Sequence, residues 1–273
     1  MSRTVALHGW LEQGDADPFE GRPAVDAVLK EALGLAALRV TRAVGLSPEH
    51  IRPTRLSTAA LATLQAAAGE GAVNLDPEQR ARASVGQGYL DVLARRAGRI
   101  DAPVDAVVCP RDHATALSVL RWCDDQGVKA QSKGGTTGVV GGFDAKGDPV
   151  RIALSTARLN KVVAISATDL TVRAEAGVRL PDLDQALAGH GLTFGHQPQS
   201  YHGVTLGGAI AAHGAGQRSN GFGRMADLLV NARLATPVGT WDTEALREAA
   251  SGPWLGGLVT GSEGAVGLIT EAT

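Results

Sequence analysis

The sequence predicts a mixed α/β fold behind a helical N-terminal segment, and three observations carry that prediction. Residues 1–101 are rich in alanine and place apolar side chains at helical spacing. From Ala102 onward, short apolar runs alternate with helical stretches that have their own start and stop residues. Around Leu170 the pattern changes to a period of two, the mark of a strand with one buried face.

In chain order, AVDAVLKEALGL (Ala24–Leu35) sets Val25, Val28, Leu29 and Leu33 at helical spacing. A second helix is expected from Leu56 to Ala68, with Ser57 as its N-cap and Leu61 and Leu64 on one face. In SVGQGYLDVLARRAG, Tyr89 and Asp91 could reach a ligand, but Asp91 with the Arg95–Arg96 pair reads as a solvated helix face. APVDAVVCP gives a strand over Ala106–Val108 that ends at Pro110. Asp112 then caps a helix whose Leu117, Leu120 and Cys123 face inward, with Gly127 as the stop. Val128–Gln131 is the next strand, and it delivers the chain into SKGGTTGVVGG. IALST, KVVAIS and LTVRAEAGV follow as strands, with Leu170, Val172 and Ala174 expected inside and Thr171, Arg173 and Glu175 outside. Pro181 opens a helix with Asp182 in its first turn and Gly189 or Gly191 at its end. Gly207–Gly208 introduces a helix through AIAAH, whose N-terminus could face a phosphate; close helix packing explains the same glycines. LLVNARLATPVGTWDT is a hairpin turning at Pro237–Gly239, and GSEGAVGLITEAT is a glycine loop followed by a strand.

The stretch Ser132–Gly142 holds five glycines and two threonines, a composition that packs no core. Glycine lets successive backbone N–H groups turn inward around an anion, and Thr136 and Thr137 add hydroxyls. A flexible surface loop is the other reading. The spacing excludes two familiar phosphate loops, because no lysine follows the closing glycine and no G-x-G-x-x-G leads into a helix. Farther on, LTFGHQPQSYHGVTLGGAIAAHGAGQ, with His190 two residues ahead of it, concentrates four of the seven histidines: His190, His196, His202 and His213.

Composition narrows the function classes. With 273 residues, 44% hydrophobic and 20% charged, the chain can build one large core or two small ones. A formal net charge of -2 and a pI near 6.4 give no basic surface for nucleic acid or an anionic membrane. Aromatics at 4% argue against stacking platforms for single strands. MSRTVALHGWLEQGD lacks an apolar leader, and no run approaches the roughly 18 residues that span a bilayer, so the expected setting is cytoplasmic. Cys109 and Cys123 make neither a disulfide framework nor a metal cluster, and no metal is expected.

Taken together, PVDAVVCPRDH, KGGTTGVVGG, GLTFGHQPQS, VTLGGAIAAHGAGQ, FGRMADLLV and GSEGAVGLITEAT resemble the FAD-binding (PCMH-type) domain of the vanillyl-alcohol oxidase and p-cresol methylhydroxylase superfamily. Within it they are most similar to FAD-linked oxidases of the alkyldihydroxyacetone-phosphate synthase branch, a likeness that HGWLEQGD and GQGYLDVLARRAG extend toward the N-terminus. The resemblance implies an α+β fold of two packed α/β subdomains, about 102–166 and 167–273, behind the helical segment 1–101. It implies that FAD lies between them. Gly134, Gly135, Thr136, Thr137, Gly138 and Val140 would hold the pyrophosphate; Pro198, Gln199, Ser200, Thr205, Gly207 and Gly208 the flavin and ribityl side; Glu263, Gly264, Gly267 and Ile269 the adenine and diphosphate end. With no histidine in the first glycine loop, where some relatives attach FAD covalently, non-covalent FAD is expected.

The chain also departs from the family pattern. The family usually has a third glycine where Thr136 stands, a serine at Gly138, a tryptophan at Ala209 and an arginine at His213. Histidine is shorter and only partly charged, which weakens an arginine-like role for His213. Family enzymes also continue into a cap domain, absent after Thr273, so a separate cap chain or a second copy is an expected partner beside the small-molecule substrate. The function implied is hydride transfer from a small hydroxy acid or alcohol to the flavin, with His196, Tyr201, His202 and His213 as polar candidates near the ring. The alternatives are a flavin-dependent alkyl transferase like the synthase, and a non-catalytic or truncated flavin-binding module that needs a partner.

Overall fold

A computed structural model describes residues 22–37, 43–44, 47–143, 147–244 and 252–273. The HGWLEQGD motif lies outside the described residues. The chain opens with α1 (Pro23–Leu33), which starts on proline and stops at Gly34 in the left-handed conformation (φ 62°). Val28 and Leu33 of its apolar stripe are 64% and 62% exposed. After a 3-10 turn at Pro48–His50 comes α2 (Thr58–Ala68), where the Ala60 N–H donates to the Ser57 hydroxyl at 3.1 Å. Strand β1 (Val73–Asn74) and α3 (Pro77–Ser84) follow, the latter capped by Asp76.

Helix α4 (Tyr89–Arg96) corrects one expectation. Arg95 is only 3% exposed and donates to the Gln87 side chain at 2.7 Å, so this face of the helix is not solvated. Next are β2 (Ala106–Val108), α5 (His113–Gln126), β3 (Lys129–Lys133) and β4 (Arg151–Ser155). Asp112 caps α5 and Gly127 (φ 64°) ends it. These strands form a sheet in the order β1-β2-β4-β3, parallel except for β1. Strand β4 is buried along its whole length because both faces are covered. On one side Ile152 and Leu154 meet Val119, Leu120 and Cys123 of α5; on the other Ala153 meets Val107 and Ala83.

The second half builds a wholly antiparallel sheet from β5 (Val162–Ser166), β6 (Thr171–Glu175), β7 (Ala232–Thr236), β8 (Gly239–Asp242) and β9 (Leu268–Ala272). Its order is β5-β6-β9-β7-β8. Helices α6 (Leu180–Ala188) and α7 (Leu206–Ala211) cover one face, with Leu183, Leu187 and Ile210 against Leu234 and Ile269. Three single-turn helices complete the chain: α8 (Ser219–Phe222), α9 (Met225–Leu228) and α10 (Gly256–Val259). Leu170 was expected inside with Val172 and Ala174, yet it is 73% exposed. It sits at φ 53° in the turn before Thr171 pairs with Ser166, so its side chain lies off the ladder.

The two sheets meet through α5. Its buried side also packs against Ala235 and Leu268 of the second sheet. His113 at its first position bonds Thr270 through Nδ1 at 2.8 Å and Thr240 through Nε2 at 2.7 Å.

Candidate functional site

A cavity of about 780 Å³ opens where the ends of the two sheets face each other. Three glycine-bearing segments form its walls. Gly134, Gly135, Thr136, Thr137, Gly138 and Val140 line the first, directly beyond the last residue of β3. Pro198, Gln199, Ser200, Gly207 and Gly208 line the second, and Glu263, Gly264, Gly267 and Ile269 the third. Thr205 stands outside this lining: its hydroxyl accepts from the Gly208 N–H at 3.2 Å and caps α7.

The first loop is pressed against the second. A Cβ on Gly135 would lie 1.9 Å from the Gly203 carbonyl oxygen, so only glycine fits. Thr136 takes the left-handed conformation (φ 54°), costly for a β-branched residue, and its hydroxyl donates to the Gly135 carbonyl at 2.7 Å. The backbone N–H groups from Gly134 to Gly142 have no acceptor among the described residues. A cavity-lining run of free amides is what an anion requires of a protein.

The start of α7 behaves otherwise. The N–H groups of Leu206, Gly207 and Gly208 donate to Val178, Ala176 and the Thr205 hydroxyl, so this helix end has no free amides to offer a phosphate. A Cβ on Gly207 would come 2.7 Å from that of Ala176, and close packing accounts for this glycine.

The four polar candidates separate in space. His196 lines the cavity and is fully buried, and neither ring nitrogen has a hydrogen-bond partner among the described residues. Burial pulls its pKa below the ordinary histidine value, so the ring is neutral at pH 7. Tyr201 donates to Asp184 at 2.6 Å and packs on the core under α6; burial, then that carboxylate, push its pKa up. Asp184 also accepts from the Phe194 N–H at 2.7 Å and the Thr193 hydroxyl at 2.9 Å, anchoring the loop that carries His196. His202 and His213 are exposed and lie outside the cavity lining.

Positive charge in the lining comes from residues that the sequence reading left unassigned. Lys133 sits at the entry to the first loop, its pKa lowered chiefly by burial. Arg151 donates to the Gln131 side chain and to the Phe143 carbonyl, fixing the far side of that loop. Burial raises the pKa of Glu263 opposite them. Lys133 touches the glycine motif in sequence and carried a signal; Arg151 arrives from another strand and carried none.

This donor set fits a long anionic cofactor such as FAD: a glycine-walled trough, a run of free amides, three cations and a buried imidazole with neither nitrogen partnered among the described residues. Among the described residues, no group of three His, Cys, Asp or Glu could hold a metal, and no helix is long and apolar enough to cross a membrane.

Comparison with known proteins bears on the same cavity. The sequence pattern of the FAD binding domain family matches residues 104–243. An alkyldihydroxyacetonephosphate synthase of Trypanosoma brucei brucei is 36% identical over 203 residues, covering 73% of this chain and 33% of the relative. The mitochondrial D-lactate dehydrogenase [cytochrome] 1 of Saccharomyces cerevisiae is 32% identical over 171 residues, 61% of this chain and 29% of the relative. A solved alkyldihydroxyacetonephosphate synthase in crystal form P1 superposes with a TM-score of 0.81 at 26% identity, over 92% of this chain and 46% of that one. The chain thus spans about a third of the length of the relatives that it matches.

Proposed function

Because this chain belongs to the FAD-binding domain family, with the PCMH-type fold of the FAD-linked oxidases, we propose that it is the cofactor domain of an FAD-dependent oxidoreductase acting on a small hydroxy acid or alcohol. The observation that carries this reading is the run of unpartnered amides from Gly134 to Gly142 in the same cavity as His196. When bound, FAD would supply the hydride acceptor. The amides of the first loop, with Lys133 and Arg151 in the same lining, would hold its diphosphate. Pro198, Gln199 and Ser200 shape the wall beside His196, and the buried neutral imidazole offers one donor and one acceptor there. Glu263, with its raised pKa, suits hydroxyls and amines better than phosphate. The attachment proposed is non-covalent, since the first loop holds no histidine, cysteine or tyrosine. A cytoplasmic setting belongs to the same proposal and is supported by two unpaired cysteines, which suit a reducing compartment.

The test is an absorbance spectrum of the purified chain, reconstituted with FAD if colourless, before and after acid precipitation. A flavin spectrum that passes into the supernatant is expected. Anaerobic addition of D-lactate or D-2-hydroxyglutarate should then bleach it. A chain that stays colourless after reconstitution overturns the cofactor reading. A second reading, a flavin-dependent alkyl transferase, draws on the synthase likeness, which covers 73% of the chain against 61% for the dehydrogenase. Flavin that binds, resists hydroxy acids and responds to an acylated dihydroxyacetone phosphate would favour it.

A further inference from the structure

The segment 86–95, ahead of the span that matches the family pattern (104–243), closes against the back of the first glycine loop. The Gln87 N–H donates to the Gly138 carbonyl at 2.7 Å. A Cβ on Gly86 would stand 2.5 Å from that same oxygen, and one on Gly88 would stand 3.2 Å from the Val139 carbonyl. Two successive loop carbonyls therefore face this segment. In a planar trans peptide the N–H points opposite to the C=O, so the amides of Val139 and Val140 are aimed away from it. Both residues line the cavity, and both amides are unpartnered among the described residues.

Gln87 is held in turn. Its Oε1 accepts from Arg95 Nη2 at 2.7 Å, and the two side chains belong to residues 5% and 3% exposed. Among the described residues Arg95 forms no ion pair, and its Nε has no partner. A buried guanidinium whose hydrogen bond goes to a neutral amide is costly; Asp91, one turn earlier on α4, offsets part of that charge without pairing with it, and an anion arriving nearby would offset more.

We propose that segment 86–95 is part of the dinucleotide site: Gln87, fixed by Arg95, aims the Val139 and Val140 amides at a diphosphate, and the unpaired Arg95 cation favours that charge from behind the loop. Gln87 and Arg95 are positioning residues. The proposal rests on reading the first loop as the diphosphate holder.

Gln87→Glu separates this role from a structural one. The new carboxylate would pair with Arg95 in place, steadying the fold while cancelling the cation. The expected result, in the full chain, is a melting temperature equal to or above that of the parent with FAD and ADP each binding at least tenfold more weakly, as read by flavin fluorescence and by competition. Riboflavin, which lacks the diphosphate, should bind both proteins equally. Gly86→Ala, which must push the Gly138 carbonyl, should weaken FAD and ADP by a similar factor. A folded Gln87→Glu protein that binds FAD and ADP like the parent overturns the proposal, as does an equal loss for riboflavin. If the parent itself takes up no FAD, the reading of the loop falls and this inference with it; parent binding with indifferent variants sinks the inference alone.

Discussion

Thr136 holds a left-handed backbone at φ 54° in the middle of the first loop, a conformation that a β-branched residue adopts only when its surroundings impose it. Glycine would relieve the clash at some cost in chain entropy, so Thr136→Gly should raise stability by up to about 1 kcal/mol in denaturant titrations. FAD affinity should hold, because the donors there are backbone amides. Two histidines, one fully buried and one partly buried, act on pH dependence. Both His113 and His196 have pKa values lowered from 6.5, chiefly by burial, so the unfolded rings take up a proton at a higher pH than the folded ones. Stability is complete above pH 6.5 and declines as the solution is acidified below it. Melting curves from pH 7.5 to 5 should show the decline, and His196→Gln should flatten it. Burial also pushes the Cys123 thiol up to about 12. A thiol reagent at neutral pH should label no more than Cys109 in the native protein and both cysteines after unfolding. At this scale the sequence told much: glycine composition marked the loop because free amides need small residues. It could not show that Arg95 turns inward, since the position of Gln87 is settled by contacts with the loop around Gly138.

Elements with local stop and start signals were legible, and those formed by distant contacts were not. The Asp112 carboxylate accepts from the Thr115 N–H at 2.8 Å and from its hydroxyl at 2.6 Å, both within one turn, so the cap of α5 could be read directly. Asp112→Ala should lower stability by about 1 kcal/mol. Helix α3 is different. Its sequence PEQRARAS holds no large apolar side chain, yet Arg80 is 2% exposed and donates to the carbonyls of Val104 at 2.7 Å and Arg52 at 2.8 Å. No periodicity announces such a helix, because backbone carbonyls elsewhere in the chain satisfy its charge. The start of α7 misled for the same reason. Its amides were open to a phosphate on paper, and partners at Ala176 and Val178, far away in sequence, engage two of them.

Across the molecule, Asp105 ties the N-terminal region to the first sheet. Fully buried, it accepts from Arg55 N at 2.9 Å, Arg55 Nη2 at 2.8 Å and Arg151 N at 3.1 Å. Burial works to raise its pKa, and these bonds overcome that and hold the carboxyl below the ordinary aspartate value. Its contribution is therefore present above pH 3.8 and lost as the pH falls further. Asp105→Asn keeps the shape and removes the charge opposite Arg55, and should cost about 3 kcal/mol in equilibrium unfolding. The order of the α/β elements followed from their periods, whereas the contact between the sheets did not, because α5 offers buried residues to both. That double use sets how the protein can be inherited. A gene broken between the sheets, after β4 ends at Ser155 and before β5 begins at Val162, would leave Ala235 and Leu268 on one product and the helix that covers them on the other. Neither product could complete its interior alone. Recombination can therefore exchange what surrounds this unit but not its halves, and the two sheets should travel through evolution as one heritable block.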